Sequence, residues 1–167
     1  MNNTTLLALF RFVSLLILQV VLFNYIHFLG YAVPYPYILF ILLFPLQVNR
    51  KWLLIASFCM GIILDIFNDS GGVHATACLS VAYFREYFIK ISYGISYEYH
   101  MLKISSKISK ELISYLFVSI LFHHLVFYTL EAFSLLLIID VLLKTVSSLA
   151  VTFLFSLLLI ALSKSDR

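Results

Sequence analysis

Residues 61–85, GIILDIFNDSGGVHATACLSVAYFR, contain two apolar runs that meet at the polar segment NDSGG, residues 68–72. Asp65 precedes the polar segment, His74 follows it, and Arg85 lies about two or three helical turns further along. Ionisable groups this close to hydrocarbon are costly, because water is absent and each must find a partner. The stretch therefore predicts two helices joined by a tight turn, at a place where helices pack together or where something binds.

The composition of the whole chain is that of an integral membrane protein. Of its 167 residues, 63% are hydrophobic and 11% are charged, and its mean hydropathy is +1.05. A soluble domain carries about 25% charged residues. The net charge of +3 is too weak to indicate a nucleic-acid partner. Cys59 and Cys78 lie in apolar runs without metal-ligand spacing, so we interpret them as small buried hydrophobes.

Apolar runs near 20 residues in length predict an all-α bundle of six transmembrane helices. Their approximate bounds are 12–29, 33–48, 52–67, 73–91, 112–131 and 143–162. The second helix is kinked or ended by Pro45 and begins within YAVPYPY, residues 31–37, whose tyrosines fit an interfacial aromatic belt. Residues 132–141 then form a loop or a helix lying in the outer interface.

The only long predicted loop, residues 92–110, contains a short basic amphipathic pattern. Lys103, Lys107 and Lys110 share one helical face, while apolar residues occupy another. Such a helix suits the surface of a membrane, where each lysine contributes about 1 kcal/mol of attraction to anionic lipid. An ordinary cytoplasmic loop rich in lysine is the alternative interpretation.

The distribution of Lys and Arg predicts the orientation, because cytoplasmic loops collect these residues. With six spans and both termini inside, ten of the eleven basic residues fall on the cytoplasmic side. Lys144, near the outer end of the last span, is the exception. We therefore expect an N-in, C-in topology. Its outer layer then contains Asp65, Asp69, His74, Glu131, Asp140 and Lys144.

Two further pairs of polar residues are candidates for structural roles. Asp140 and Lys144 are four residues apart with the acid first, which favours a helical ion pair over a proton relay or a ligand clamp. His123 and His124 are adjacent, so their side chains diverge and cannot share a metal as residues four apart can. We expect at least one of these histidines to hydrogen-bond to a neighbouring helix.

The sequence offers little support for enzymatic chemistry. Asp65 and His74 could meet across the turn as an acid–base couple, but no motif places a Ser or Cys nucleophile and no HExxH is present. Gly72 and its neighbour Gly71 serve the turn, since glycine adopts positive φ freely. We expect no catalytic residue, no metal and no cofactor.

The hairpin resembles the MreD family of rod-shape-determining membrane proteins. The matching positions are Gly61, Asp65, Gly71, Gly72, His74, Ala75 and the aromatic–x–Arg ending at Tyr83–Arg85. Residues 33–37, VPYPY, and residues 122–134, FHHLVFYTLEAFS, are similar to Bacteroidetes-type members. Glu86 departs from the family, where Pro usually follows the arginine.

The resemblance implies a non-enzymatic scaffold in the bacterial inner membrane. Its implied partner is MreC, within a wider complex of MreB, RodA and a class B penicillin-binding transpeptidase that elongates the side wall. The implied fold resembles the substrate-binding components of energy-coupling-factor vitamin transporters. That likeness leaves a small-molecule-binding transport component as the alternative function, and an intramembrane enzyme as a more remote one.

Overall fold

The computed structural model describes residues 3–28, 30–94 and 108–163. Within these ranges the chain forms helices and turns, with an isolated bridge between Phe28 and Ala32 and no strand. The helices are α1 (Asn3–Val21), α2 (Ile38–Leu42), α3 (Arg50–Asn68), α4 (Val73–Tyr93), α5 (Lys110–Ala132) and α6 (Ile138–Leu162), with 3₁₀ turns at Phe23–Tyr25 and Leu135–Leu137. The basic pattern at Lys103 and Lys107 lies outside the described residues, and Lys110 is the exposed first residue of α5.

Among the described residues, four segments are long and apolar enough to cross a membrane. They are Leu6–Tyr25, Arg50–Asn68, Lys110–Ala132 and Ile138–Leu162. Their outward faces are apolar, as at Ile66 on α3 and Leu154 on α6, which are 75% and 66% exposed. A helix on the surface of a soluble protein would turn charged residues outward. These faces therefore indicate an all-α protein embedded in a membrane.

The second predicted span is corrected by the structure, because no continuous helix covers residues 33–48. Only Ile38–Leu42 is α-helical, and five residues rise about 7.5 Å, far short of a bilayer. The prolines explain the interruption, since Pro34, Pro36 and Pro45 supply no backbone N–H for helical hydrogen bonds. Residues 33–37 are extended or turned instead.

The contacts of α1 fix the direction of this interrupted segment. Ala8 and Phe12 of α1 share a groove with Trp52 and Ala56 of α3, and the hydrogen bonds of Arg11 and Gln19 to the interrupted segment and of Arg50 to α4 show that the two helices run parallel, with both amino termini at one end of the bundle. The chain between them must return from the other end. It does so along residues 33–48, as the contacts from Gln19 to Pro34 and from Arg11 to Leu43 indicate.

The other helices alternate in direction around this segment. The hairpin pairs α3 with α4, and α4, α5 and α6 pack as successive antiparallel neighbours. We call the end where α3 begins and α5 begins the basic end, after Arg50, Lys51, Lys90 and Lys110. The opposite end, where residues 69–72 join α3 to α4, is the hairpin end.

The core of the bundle lies around the interrupted segment. Tyr37, Ile38, Ile41 and Leu42 are wholly buried, and Tyr35 is nearly so. The aromatic belt predicted for this segment is therefore wrong for Tyr35 and Tyr37, although Tyr31 is exposed. Non-helical backbone at this depth is tolerated only when other protein groups surround it and satisfy its polar atoms.

Candidate functional site

Asp65 joins the two helices of the hairpin. Its carboxylate accepts hydrogen bonds from the backbone N–H groups of His74 and Ala75 at 2.9 Å each, and from the Ser70 hydroxyl at 2.5 Å. The first N–H groups of a helix have no partner within the helix, and they carry partial positive charge. Asp65, which is 7% exposed, therefore caps α4 from the last turn of α3.

The turn between α3 and α4 brings this carboxylate into position. Asp69 ends α3 in the left-handed region, and Gly71 and Gly72 follow with φ of +61° and +98°. Gly72 is the residue immediately before α4, and a positive φ there suits glycine because it has no Cβ. The role expected for Gly72 in the turn agrees with this conformation.

The two helices of the hairpin also pack closely at Gly61, which precedes Asp65 by four residues in α3. A Cβ added at Gly61 would lie 2.6 Å from the backbone nitrogen of Ala75 and 2.7 Å from the carbonyl oxygen of His74. These atoms belong to backbone and cannot rotate away. Gly61 therefore allows α3 to approach the first turn of α4 closely enough for Asp65 to reach its N–H groups.

The centre of the site is the Tyr37 hydroxyl, which bridges two histidines. It lies 2.9 Å from His74 Nδ1 on α4 and 2.9 Å from His123 Nε2 on α5. All three side chains are buried. The ring of Phe127 packs against His74, with 4.7 Å between ring centroids, and stacks on His123. The interrupted segment thus places a phenol between two helices that are not adjacent to it in sequence.

The hydrogen-bond partners of His123 and His124 indicate which ring nitrogen of each carries the proton. His124 Nδ1 lies 2.8 Å from the Ile120 carbonyl oxygen, which can only accept, so His124 carries its proton on Nδ1. His123 Nδ1 lies 3.4 Å from His124 Nδ1. Two N–H groups facing each other would repel, so His123 carries its proton on Nε2. With this assignment His123 donates to Tyr37 and Tyr37 donates to His74 Nδ1, so His74 Nε2 carries a proton and its 3.5 Å approach to Asn68 Nδ2 is not a hydrogen bond. The result is a directed chain of neutral groups.

α6 completes the network with a stripe of small polar residues. Thr152 Oγ1 accepts from the backbone N–H of Tyr35 at 3.0 Å and lies 3.1 Å from His124 Nε2, to which it donates. Ser148 Oγ accepts from the backbone N–H of Val33 at 3.0 Å. Tyr128 of α5 lies 2.5 Å from the same hydroxyl. These side chains supply the acceptors that the extended backbone would otherwise lack in hydrocarbon.

Arg85 holds the interrupted segment from the other side. Its guanidinium, which is buried, donates to the carbonyl oxygens of Leu42, at 3.1 Å, and Phe44, and to the hydroxyl of Tyr115 at 3.2 Å. Carbonyl groups at the end of a helix carry partial negative charge and favour a cation. Arg85 therefore caps the carboxyl end of α2, and within the described part of the chain no carboxylate lies within salt-bridge distance of it.

The ion pair predicted between Asp140 and Lys144 is not formed. Lys144 Nζ instead lies 3.1 Å from Glu131 Oε2 at the end of α5, and 5.8 Å from the centroid of the Tyr128 ring. A local pair on a helix contributes only about 0.2–0.5 kcal/mol, so a contact that also joins two packed helices prevails. Asp140, which is exposed, shares a cavity with Glu131 and Lys144.

The arrangement is suited to holding helices together more than to chemistry. Asp65 contacts the backbone of His74, whereas the imidazole of His74 contacts Tyr37, so the two do not form the acid–base couple considered from the sequence. Across residues 3–28, 30–94 and 108–163, no cluster of three His, Cys, Asp or Glu side chains could hold a metal. The buried hydroxyls and imidazoles serve one another as donors and acceptors.

The sequence placed Asp65, His74, Arg85, His123 and His124 among the candidates but missed the residues that connect them. These are Tyr37, Tyr115, Tyr128, Ser148 and Thr152. A signal for two of them is present, because Ser148 and Thr152 are four residues apart and share the buried face of α6 with Thr145 and Ser156. Small polar residues at this spacing mark a helix interface in a membrane.

Comparison with protein-family models, with curated proteins and with solved structures gave no match for this chain.

Proposed function

We propose that this chain is a non-catalytic membrane scaffold of the MreD type, which binds MreC and helps to couple MreB filaments to peptidoglycan synthesis. The observation that supports this proposal best is that the ionisable residues of the hairpin connect separate helices. Asp65, His74 and Arg85, which carry the family resemblance, each join separate elements of the bundle through hydrogen bonds. Ionisable residues used for packing are expected of a scaffold.

The proposed scaffold crosses the inner membrane six times, with both termini in the cytoplasm. Five crossings are the long helices, including α4, which is more polar but has 21 residues and packs between α3 and α5. The sixth is the interrupted segment 33–48, which is shielded from lipid by its neighbours. The basic end then faces the cytoplasm, in agreement with the bias of Lys and Arg.

Co-purification with MreC tests the proposed partner. The full chain and tagged MreC, expressed together and extracted in mild detergent, should elute as one complex. The matched control is MreC whose single transmembrane helix is replaced by an unrelated apolar helix, which should lose the complex. Depletion of the chain should also round a rod-shaped host. Separate elution of the two intact proteins, with no change of cell shape on depletion, would contradict the proposal.

A small-molecule-binding transport component is the second candidate, and one cavity favours it. This cavity, of about 430 Å³, lies at the hairpin end and is lined by polar groups from separate elements. They are Tyr31, Tyr128, Glu131, Asp140 and Lys144. Thermal stabilisation of the purified chain by one member of a vitamin panel, lost on Glu131→Gln, would support this candidate over the scaffold.

A further inference from the structure

A second cavity lies at the basic end, away from the polar network. It is a groove of about 510 Å³ between α1 and α3, with the interrupted segment as its floor. The lining residues are Ala8, Leu9, Phe12, Phe40, Phe44, Val48, Trp52 and Ala56. All of them are apolar. In a membrane such a groove holds something apolar, because water gains no hydrogen bonds there.

The shape of the lining favours a flexible chain over a partner helix. Helices pack closely in membranes through small residues, which let two backbones approach. Here the small residues Ala8 and Ala56 stand on opposite walls, and the bulky Phe12, Phe44 and Trp52 line the groove with them. A hydrocarbon chain has no fixed shape and can follow such walls, whereas the rigid backbone of a helix cannot.

A basic residue adjacent in sequence to a lining residue of the groove indicates the kind of headgroup. Lys51 directly precedes Trp52 at the start of α3 and is exposed. Its ammonium has no hydrogen-bond or ion-pair partner among the described residues. Arg50 beside it is already engaged, since it donates to the Tyr83 carbonyl at 2.6 Å and lies 3.8 Å from Glu86. An unpaired cation on the residue next to Trp52 complements a negatively charged headgroup.

We propose that this groove binds an acyl chain of an anionic phospholipid from the leaflet at the basic end, with the lipid phosphate at Lys51. Trp52 then lies at the level where the chain meets the headgroup, the position that tryptophan prefers in membrane proteins. The lipid site uses no property of MreC. A lipid bound at this site gives the scaffold a fixed contact with the leaflet next to its basic residues.

Trp52 makes the proposal measurable, because it is the only tryptophan in the chain. The full chain is reconstituted in phosphatidylcholine vesicles that contain a small, equal fraction of either brominated phosphatidylglycerol or brominated phosphatidylcholine. Bromine quenches tryptophan fluorescence on contact. The apparent affinity for the anionic lipid should exceed that for the zwitterionic lipid about fivefold, the preference that one lysine supplies.

Two kinds of variant separate the groove from the general lipid surface. Lys51→Gln should abolish the preference, while Lys90→Gln, the same change of charge elsewhere at the basic end, should keep it. Ala56→Phe and Ala8→Phe, which fill the groove from opposite walls, should each reduce quenching by phosphatidylglycerol to the level of phosphatidylcholine. Variants are compared only where their melting temperature matches that of the parent chain.

Other outcomes overturn the proposal. Equal quenching by the two lipids in the parent chain would show that no anionic lipid is selected. A preference that survives both groove-filling changes would place the lipid on the outer surface of α3. If those changes leave the preference intact and abolish co-purification with MreC, the groove belongs to a partner helix instead.

Discussion

The Asp65 carboxylate accepts three hydrogen bonds across the hairpin, so its replacement by leucine should be severe. Asp65→Leu leaves two buried backbone N–H groups without acceptors. Each such group costs about 1–3 kcal/mol, and we expect a total loss of at least about 2 kcal/mol of unfolding free energy. Asp65→Asn keeps one acceptor oxygen and should lose less.

Thiol reactivity measures this loss, because Cys78 is buried and becomes accessible only on unfolding. The measurement is thermal unfolding in detergent with a thiol-reactive dye, in a Cys59→Ser background. Ser70→Ala, which removes one of the three donors to Asp65, is the control and should be mild. A Leu variant as stable as the parent chain would show that Asp65 does not cap α4.

The Tyr37 hydroxyl is the link between His74 and His123, and its removal has a spectroscopic consequence. Tyr37→Phe leaves both imidazoles without their shared partner and should destabilise the fold by about 1–3 kcal/mol. In the parent chain, nitrogen NMR should show the proton on Nδ1 of His124 and on Nε2 of His123. Loss of the hydroxyl should alter the signals of His74 and His123 most.

Tyr31→Phe is the matched control, because it is the same substitution at a side chain that is 63% exposed. It should leave both the stability and the histidine signals unchanged. Equal effects of the two substitutions would mean that the buried hydroxyl contributes nothing specific.

At the level of single residues, the sequence predicts which side chains need partners but not which partners they contact. The ionisable residues next to hydrocarbon were found because their cost makes them conspicuous in any apolar run. Their partners were not, because Tyr37 contacts His123 across 86 positions in the chain. The local rule paired Lys144 with Asp140, whereas the packing of α5 on α6 pairs it with Glu131. Contacts of this kind depend on the register between helices, which periodicity does not specify.

At the level of elements, Thr152 is one of the α6 side chains whose hydroxyls stabilise the extended segment. Thr152 accepts from the Tyr35 backbone and donates to His124, so Thr152→Val removes both bonds at nearly constant volume. We expect a loss of about 1–3 kcal/mol in unfolding free energy. Thr152→Ser keeps the hydroxyl and should retain most of the stability. Equal melting temperatures for Val and Ser would contradict this role.

The α3–α4 contact depends on the missing Cβ of Gly61. In an isolated helix Gly→Ala is favourable by about 1 kcal/mol, so propensity alone predicts a more stable Gly61→Ala protein. The close approach to the backbone of Ala75 predicts the opposite, a clear decrease in melting temperature. Cys59→Ala, on the exposed face of the same helix, should be nearly neutral. Stabilisation by Gly61→Ala would show that the helices lie further apart.

Elements were predicted best where one apolar run makes one helix. The runs at 52–67, 73–91 and 112–131 correspond closely to α3, α4 and α5. The run at 33–48 does not correspond to one helix. Hydropathy measures the burial of side chains and carries no information on backbone hydrogen bonds. Prolines remove the donors for a helix, and hydroxyls on α6, more than 110 residues away, satisfy the donors that remain.

For the whole molecule, the interrupted segment decides on which side of the membrane each terminus lies. α1 and α3 are parallel, so the chain must return between them. If, contrary to these contacts, residues 33–48 crossed only part of the bilayer, Tyr31 and Lys51 would be accessible from the same side of the membrane. If they cross it fully, as proposed, the two residues lie on opposite sides, and the termini share the cytoplasm.

Labelling of single cysteines distinguishes these two topologies. In a Cys59→Ser, Cys78→Ala background, Tyr31→Cys and Asp69→Cys should react in intact cells with a maleimide that does not cross the inner membrane. Lys51→Cys and Lys110→Cys should react only after that membrane is permeabilised. All four positions are exposed, so burial does not limit the reaction. Reaction of Lys51→Cys in intact cells would mean that residues 33–48 turn back within the bilayer, and that the positive charge of the basic end does not mark the cytoplasmic side.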